Sequence, residues 1–573
     1  MVRIKGVTLR VCSVFLAIFA TVFVSGAAPQ LPPQTAASEH THIIRGRVLN
    51  ALTNEPISRA LVNLQGANAA TFTDDHGQFE LKIQRKADPA TGSVTMRLGG
   101  NLVEVRKIGF IQAQHVPSVV PDMSTDQPAE LLLHLLPEAK IVGHIDVPGS
   151  EGEVRISSQL FRKEMNDGRE HWVPQRMFDS WADGEFRFFE LQPGTYKLIT
   201  HEQMDQSSLM TPGSQLYGYP PVYYANTTDF SLATPIVLKA GETARVNLTV
   251  ARKEYFPVRI GVENMPPGRG MLNVSVYPMG HHSPGWSLGY NPREGAIEGI
   301  LPDGNYTVEA NTNGEGELTG LLNFSVKGKR LEGPALTLVP DATITVRVRE
   351  EFQSSQSNFG SQDAPGENSQ TTPRRYANVN VNLFPVDELT EFGRGASSRI
   401  SEASQSTDLS IPDVRPGRYR VDVNSESGYA ASIQSGGKDL AEQPLVVGIG
   451  GEVAPIEIVL RDNGAHVEGT LDEEVSPEPH ADAAAQPPAR YIYLLPTTAA
   501  GRLRGVGVQY GSFRIAQVPP GDYLVVAFDQ LRQDLPSGPG DALQRLMPKG
   551  QVIHVEPGQT VTVRIKVIGS DSL

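Results

Sequence analysis

Thirteen histidines, 64 acidic side chains and a single cysteine are the groups from which a reaction centre in this chain would be assembled. No His-Glu-x-x-His occurs and no histidine is followed by x-x-Glu, so the pairing that grips a catalytic zinc from one side is missing. Gly-x-Ser-x-Gly is absent, and with it the tight turn that presents a hydrolase serine. There is no Walker loop and no dinucleotide fingerprint, and no cofactor is expected. His40/His42 and His281-His282 lie in polar or Gly/Pro-rich stretches and read as solvated loops, with adventitious metal capture as the alternative. Asp74-Asp75 with Gly77 lacks the alternating ligands and distant glutamate of a calcium loop and reads as a hairpin turn. Asp179 and Asp183 would supply the two carboxylates of a glycoside hydrolase, but nothing singles them out among 64 acids. Catalytic and metal residues are therefore expected to be none.

Aromatic side chains give a better lead. Trp172 and Trp181 precede Tyr217, Tyr219, Tyr223 and Tyr224, and Trp286 with Tyr290 follows in a Gly/Pro-rich loop. A flat ring stacks on the C–H face of a sugar, and such rings also anchor protein interfaces. The six residues from Trp172 to Tyr224 are the candidate ligand-binding set. The plainer alternative is that they pad one long connection.

The elements that would position them announce themselves by repetition. Leu191-Gln-Pro193-Gly194-Thr-Tyr196 recurs as Leu301-Pro-Asp303-Gly304-Asn-Tyr306, Val414-Arg-Pro416-Gly417-Arg-Tyr419 and Val518-Pro-Pro520-Gly521-Asp-Tyr523. The tyrosines are 110, 113 and 104 residues apart, which is the length of a small β-sandwich and not of a solenoid repeat. Proline presets φ for a turn, glycine takes a conformation other residues avoid, and the tyrosine opens the next strand. Its ring faces the core and its hydroxyl is free to bond a loop carbonyl, as in the tyrosine corner of immunoglobulin-like sandwiches. Tyr196, Tyr306, Tyr419 and Tyr523, with Gly194, Gly304, Gly417 and Gly521, are accordingly read as structural.

Alternating runs bounded by turns fill the intervals: Val62-Asn-Leu64, Phe79-Glu-Leu81-Lys-Ile83, Val246-Asn-Leu248-Thr-Val250 and Val379-Asn-Val381-Asn-Leu383 are half-buried strands. The fold class is all-β, a tandem array of about five small Ig-like or prealbumin-like β-sandwich modules after a signal peptide. The expected limits are 42–138, 139–253, 254–340, 341–462 and 463–569. The fourth module carries a polar insert at 352–373, expected to be disordered, and the fifth a low-complexity loop at 472–488. Helix-like segments are few, and Asp541 to Met547 is the best and a short candidate.

The first 27 residues read as a secretory signal. Arg3, Lys5 and Arg10 precede the apolar run Val11 to Val24, and Ser25-Gly26-Ala27 offers small residues for cleavage. Fourteen apolar residues fall short of the roughly 20 that span a bilayer, so no membrane span is expected after cleavage. Residues 28–41 are a polar, Pro-containing linker. Cys12 lies within the signal, which leaves the mature chain without disulfides, thiolate metal sites or a cysteine nucleophile. Removing three cations moves the formal charge from −14 to −17, which repels nucleic acid and anionic lipid. Residence is expected to be secreted or periplasmic.

Gly46-x-Val48, Glu55-Pro56-Ile57, Ala60-x-Val62-x-Leu64 and Thr73-Asp74-x-x-Gly77-x-Phe79 resemble the carboxypeptidase regulatory-like domain. The resemblance implies a prealbumin-like sandwich grouped with carbohydrate-binding-like folds and common at the start of exported bacterial proteins. That family's closing Pro-Gly-x-Tyr is absent from the first module, and no peptidase signature accompanies it. The expected function is a non-enzymatic exported binding or scaffold protein, its sandwiches set in series and its ligand a polysaccharide held by the aromatic set. The alternative is an envelope structural or assembly component whose partners are extracellular or envelope proteins. A hydrolase with an unfamiliar site is the third reading.

Overall fold

The computed structural model describes residues 40–569, less 86–102, 113–128, 354–378, 401–408, 473–489 and several shorter stretches. The expected signal and nearly all of the 28–41 linker lie outside the described residues, as do positions 354–373 of one insert and 473–488 of the other. The first strand starts at His40, two positions ahead of the expected module limit.

One strand arrangement occurs five times. The opening strands are His40–Asn50, Ala139–Asp146, Lys253–Glu263, Ala342–Glu350 and Ala465–Asp472. Each pairs in parallel with the last long strand of its own unit: Ala129–Pro137, Thr243–Thr249, Leu331–Thr337, Ile456–Arg461 and Thr560–Ile568. On its other side each pairs antiparallel with Gln78–Arg85, Glu185–Leu191, Ala296–Pro302, Leu409–Val414 and Ser512–Val518. The second sheet is built on antiparallel pairs such as Ser157–Asn166 with Gly194–Thr200, and Arg490–Pro496 with Gly521–Phe528. The chain is thus an array of two-sheet sandwiches. In the fifth unit the sheets also touch through Ala527↔Val567 and Phe528↔Ile568.

The cores follow from the alternation. Val246, Leu248 and Val250 point inward while Asn247 and Thr249 face out, and the same period runs through Ile456, Ile458 and Leu460. Each unit has its own buried cluster, centred on residues such as Val62, Phe186, Ile297, Ile411 and Val525. Full burial of one such aliphatic or phenyl side chain contributes roughly 1.5–3 kcal/mol, and no disulfide supplements it among the described residues.

Two local devices recur that simple alternation does not show. Before three of the four repeated phrases, one residue is inserted into the strand: Glu190, Asp413 and Gln517 take φ of 55°, 53° and 54°. The pairing register shifts at each point. Buried positions consequently step from Phe188 to Leu191, from Ile411 to Val414 and from Ile515 to Val518, three residues instead of two. Such a bulge bends the strand out of its sheet and aims the following turn at the other one. The third unit has no shift there; Leu301 and Pro302 stay in register with Phe256 and Tyr255.

The second device is a glycine opposite a phenylalanine. Gly46, Gly143 and Gly469 sit on opening strands directly across from Phe79, Phe186 and Phe513. A Cβ on Gly143 would stand 1.7 Å from the Val246 carbonyl oxygen and 2.7 Å from the Phe186 ring. The missing side chain lets the ring lie flat across the strand and close the core, an aromatic covering of a strand glycine.

Junctions between units are short. Glu138, Val250–Arg252, Asp341 and Asp462–Gly464 are all that separates one closing strand from the next opening strand or, at Asp341, two adjoining strands. The units do not simply run out as a rod. Trp172 forms a backbone bridge with Leu389 of the fourth unit, and Ser537 N of the fifth donates to Gly168 O at 2.8 Å. Helix is confined to Gln206–Met210 and Asp541–Leu546 plus one 3-10 turn among the described residues.

Candidate functional site

The candidate aromatics lie on an excursion of the second unit. After Gly194–Thr200 the chain leaves its sandwich, lays Gln203–Met204 and Leu216–Tyr219 on the sheet of the third unit, and returns at Ile236–Leu238. Leu216 pairs with Tyr255 and Gly218 with Lys253, so two strands from the second unit extend the third unit's sheet.

This excursion buries most of the rings. Tyr219 and Tyr223 are 1% and 0% exposed. Tyr219 belongs to the second unit's core, and the Tyr223 hydroxyl donates to Pro284 O of the third unit at 2.7 Å. Trp172 is 4% exposed and stands edge-on to Phe230, with Lys197 Nζ 4.8 Å from its ring. Tyr217 is half-buried beneath the Arg252 guanidinium, which lies 3.7 Å from the ring centroid and is itself paired with Asp205 at 2.7 Å. Tyr224 is half-buried against the core. Trp181 alone is open, 45% exposed, edge-on to Phe178 and covered on one side by Arg187.

These six residues therefore do not form one aromatic platform, because three of them serve as core. The rings pad the junction between the second and third units, and Trp181 is the one of the six that is exposed. Trp286 and Tyr290 likewise pack on the third unit's core, Trp286 edge-on to Tyr306.

The repeated phrase forms the corner between the two sheets. Each tyrosine hydroxyl donates to the carbonyl four residues back: Tyr196 to Gln192 at 2.6 Å, Tyr306 to Pro302 at 3.0 Å, Tyr419 to Arg415 at 2.9 Å and Tyr523 to Pro519 at 3.0 Å. All four rings are buried, and burial raises each phenol above its usual range. The four glycines are not equivalent. Gly194 and Gly521 have φ of 154° and 150°, whereas at Gly304 a Cβ would fall 2.8 Å from the Tyr306 hydroxyl. At Gly417 the nearest ring atom is 3.4 Å away.

One carboxylate stands out at the same junction. Glu202 Oε2 accepts from Ser287 Oγ at 3.1 Å and Ser287 N at 3.3 Å, while Glu202 N donates to Gly285 O. Tyr255 lies against it, but neither its hydroxyl nor Glu202 Oε1 completes a hydrogen bond. Burial pushes the Glu202 carboxyl up to about 7 despite the Ser287 contacts.

The remaining sequence candidates are structural or separate. Asp74 Oδ1 accepts from His76 N and Gln78 N in a turn, Asp183 Oδ1 accepts from Glu185 N, and Asp179 accepts from the Ser157 hydroxyl. His281 pairs with Asp229 at 2.9 Å, and His282 stacks on Tyr277. Among the described residues no group of three His, Cys, Asp or Glu side chains is arranged to hold a metal ion. No helix among them is long and apolar enough to cross a membrane.

What fold and junctions define together is a modular all-β protein of the tandem-sandwich class. No family model matches the chain, and no curated protein matches it. It is similar to the Bacillus anthracis TIE protein at 9% identity and a TM-score of 0.14, over 93% of this chain and 66% of that one. A streptococcal ancillary pilin matches 52% of this chain and 99% of its own length, at 13% identity and a TM-score of 0.17. The shaft pilin spaA of Lactobacillus rhamnosus GG covers 37% of this chain and 98% of its own, at 12% identity and a TM-score of 0.17. Scores this low attach neither those proteins' names nor their roles to this chain.

Proposed function

We propose that this chain is a non-enzymatic structural or assembly component of an exported kind, a preformed body that offers fixed surfaces to protein partners. The observation that carries this reading is that the second unit holds the third, fourth and fifth at once. It donates two strands to the third, bridges Trp172 to Leu389 in the fourth, and accepts Ser537 N of the fifth at Gly168 O. Units tied in this way keep their relative orientation without a partner, so association costs little ordering.

The surface best suited to a partner surrounds Trp181. Arg187 stacks on it at 5.1 Å, and Phe189 and Met177 are also exposed on the neighbouring strands. An exposed tryptophan with arginine and apolar neighbours has the composition of a protein-interface anchor. Polysaccharide binding keeps only this one ring. On this reading the signal at 1–27 delivers the chain to the envelope or beyond. The module limits are those drawn from the sequence, and the first module is of the carboxypeptidase regulatory-like type.

Small-angle scattering tests the body, and a photo-crosslinking residue at position 181 on intact cells tests the surface. One compact envelope that loosens in Trp172→Ala, and a crosslinked protein partner, are the expected results. An extended multi-body profile for the wild type, or recovery of the monomer alone, overturns the reading.

A further inference from the structure

We propose that the cleft between the fourth and fifth units is a binding site for a small oxyanion, a phosphate or a carboxylate. The cleft encloses about 380 Å³. One wall is the strand Gly417–Ser425, which brings Arg420, Asp422 and Asn424, and the other is Arg504–Val508 preceded by Arg502. Pockets between domains are where small ligands commonly bind, and this volume falls in their ordinary range.

Charge identifies the class of ligand. In a chain of net charge −14, the described residues lining this cleft include three arginines and one acid. Asp422 is largely buried and its carboxylate lies 3.6 Å from Arg502, so it offsets one guanidinium. Arg504 donates to the Ala516 carbonyl at a long 3.4 Å, and no described carboxylate lies within ion-pair distance of it. The Arg420 guanidinium lies over the Phe384 ring at 4.9 Å, which fixes its plane. Burial holds Arg504 below its ordinary range, and Arg502 pushes the same way against Tyr523 and Asp422.

A half-buried guanidinium with no described carboxylate at ion-pair distance is under-compensated, and an oxyanion entering the cleft supplies the missing charge. Planar, bidentate donors suit both phosphate and carboxylate oxygens, and lysine would not serve equally well. Among the described lining residues cations outnumber acids, which favours an anion over a neutral sugar or a metal ion.

The test uses the full chain titrated with inorganic phosphate and with citrate at constant ionic strength, read by calorimetry and by melting temperature. Saturable binding with a dissociation constant of about 1 mM or tighter is expected for one of the two probes. Arg504→Gln and Arg502→Gln should each weaken it by about tenfold, while Arg347→Gln outside the cleft should leave it unchanged. Arg502 is 45% exposed, so its variant remains informative if Arg504→Gln fails to fold. Stronger binding of phosphate assigns a phosphoryl ligand, and stronger binding of citrate a carboxylate one. No saturable binding of either, or equal binding by all three variants, overturns the site.

Discussion

Arg415 and Glu317, 98 residues apart, meet across the junction of the third and fourth units. Two guanidinium nitrogens of Arg415 donate to Glu317 Oε2 at 2.8 and 3.2 Å, and the two side chains are 12% and 13% exposed. Arg415 also answers Asp341, whose two carboxylate oxygens are buried without a hydrogen bond, and Glu309; burial raises both acids. It is the cation that makes this acidic junction tolerable.

Arg415→Met should therefore destabilise the third and fourth units by about 3–5 kcal/mol, because it strands a buried carboxylate. The double variant Arg415→Met/Glu317→Leu should recover most of that loss. Urea unfolding followed by fluorescence checks it, taking the first transition because five units need not melt together. A single variant as stable as the wild type would show that the pair contributes nothing.

The corner glycines carry unequal loads. Gly521→Ala should cost about 1–3 kcal/mol, since φ of 150° is unfavourable for a residue with a Cβ. Gly417→Ala should cost less, because its backbone is unstrained and its Cβ meets the Tyr419 ring only at 3.4 Å. Tyr523→Phe removes one hydrogen bond and should cost about 1 kcal/mol. Melting curves that rank Gly417→Ala as the worst of the three would contradict this account of the turn.

Opening strands supply a matched pair. Gly143→Ala drives a methyl group into the Val246 carbonyl and should cost more than about 2 kcal/mol, whereas Gly261→Ala meets nothing within 4 Å and should be nearly neutral. Both glycines lie on the first strand of their unit. Equal melting temperatures for the two variants would remove the glycine–phenylalanine closure from the explanation of the fold.

Glu202 makes the second junction sensitive to pH. Its folded value of about 7 exceeds the ordinary 4.5, so the folded chain keeps a proton that the unfolded chain has released. The contribution is complete below about pH 4.5 and is lost as pH rises through 7. Glu309 and Asp341 act in the same sense, while His201 and His282, held neutral by burial, act in the opposite one. Glu202→Gln isolates the term: relative to wild type, its melting temperature should rise between pH 5 and pH 7.5. A difference that does not change across that range would show that Glu202 titrates normally.

The sequence carried the all-β class and the repeating sandwich, because strand alternation and turn chemistry are local properties. Val62-Asn-Leu64 and Val246-Asn-Leu248 show their inward faces at a period of two. The tyrosine phrase marks its corners, and Asp541 to Leu546 is helical within one residue of the expected span. Bulges were not legible: Glu190, Asp413 and Gln517 share no residue type, and only the shifted pairing with the opening strand reveals the inserted position.

Tertiary structure alone decided what the aromatic residues do. Trp172 and Tyr223 look alike in sequence to Trp181, yet the first two are enclosed by Phe230, Leu389 and the Pro284 loop, and Trp181 faces solvent. Burial depends on which distant segment arrives to cover a ring, and here the covering segments belong to other units. The same holds for Arg504, which lines a cleft that exists only where the fourth and fifth units meet. Local chemistry set the shape of each sandwich; the contacts between sandwiches set which side chains remain free to act.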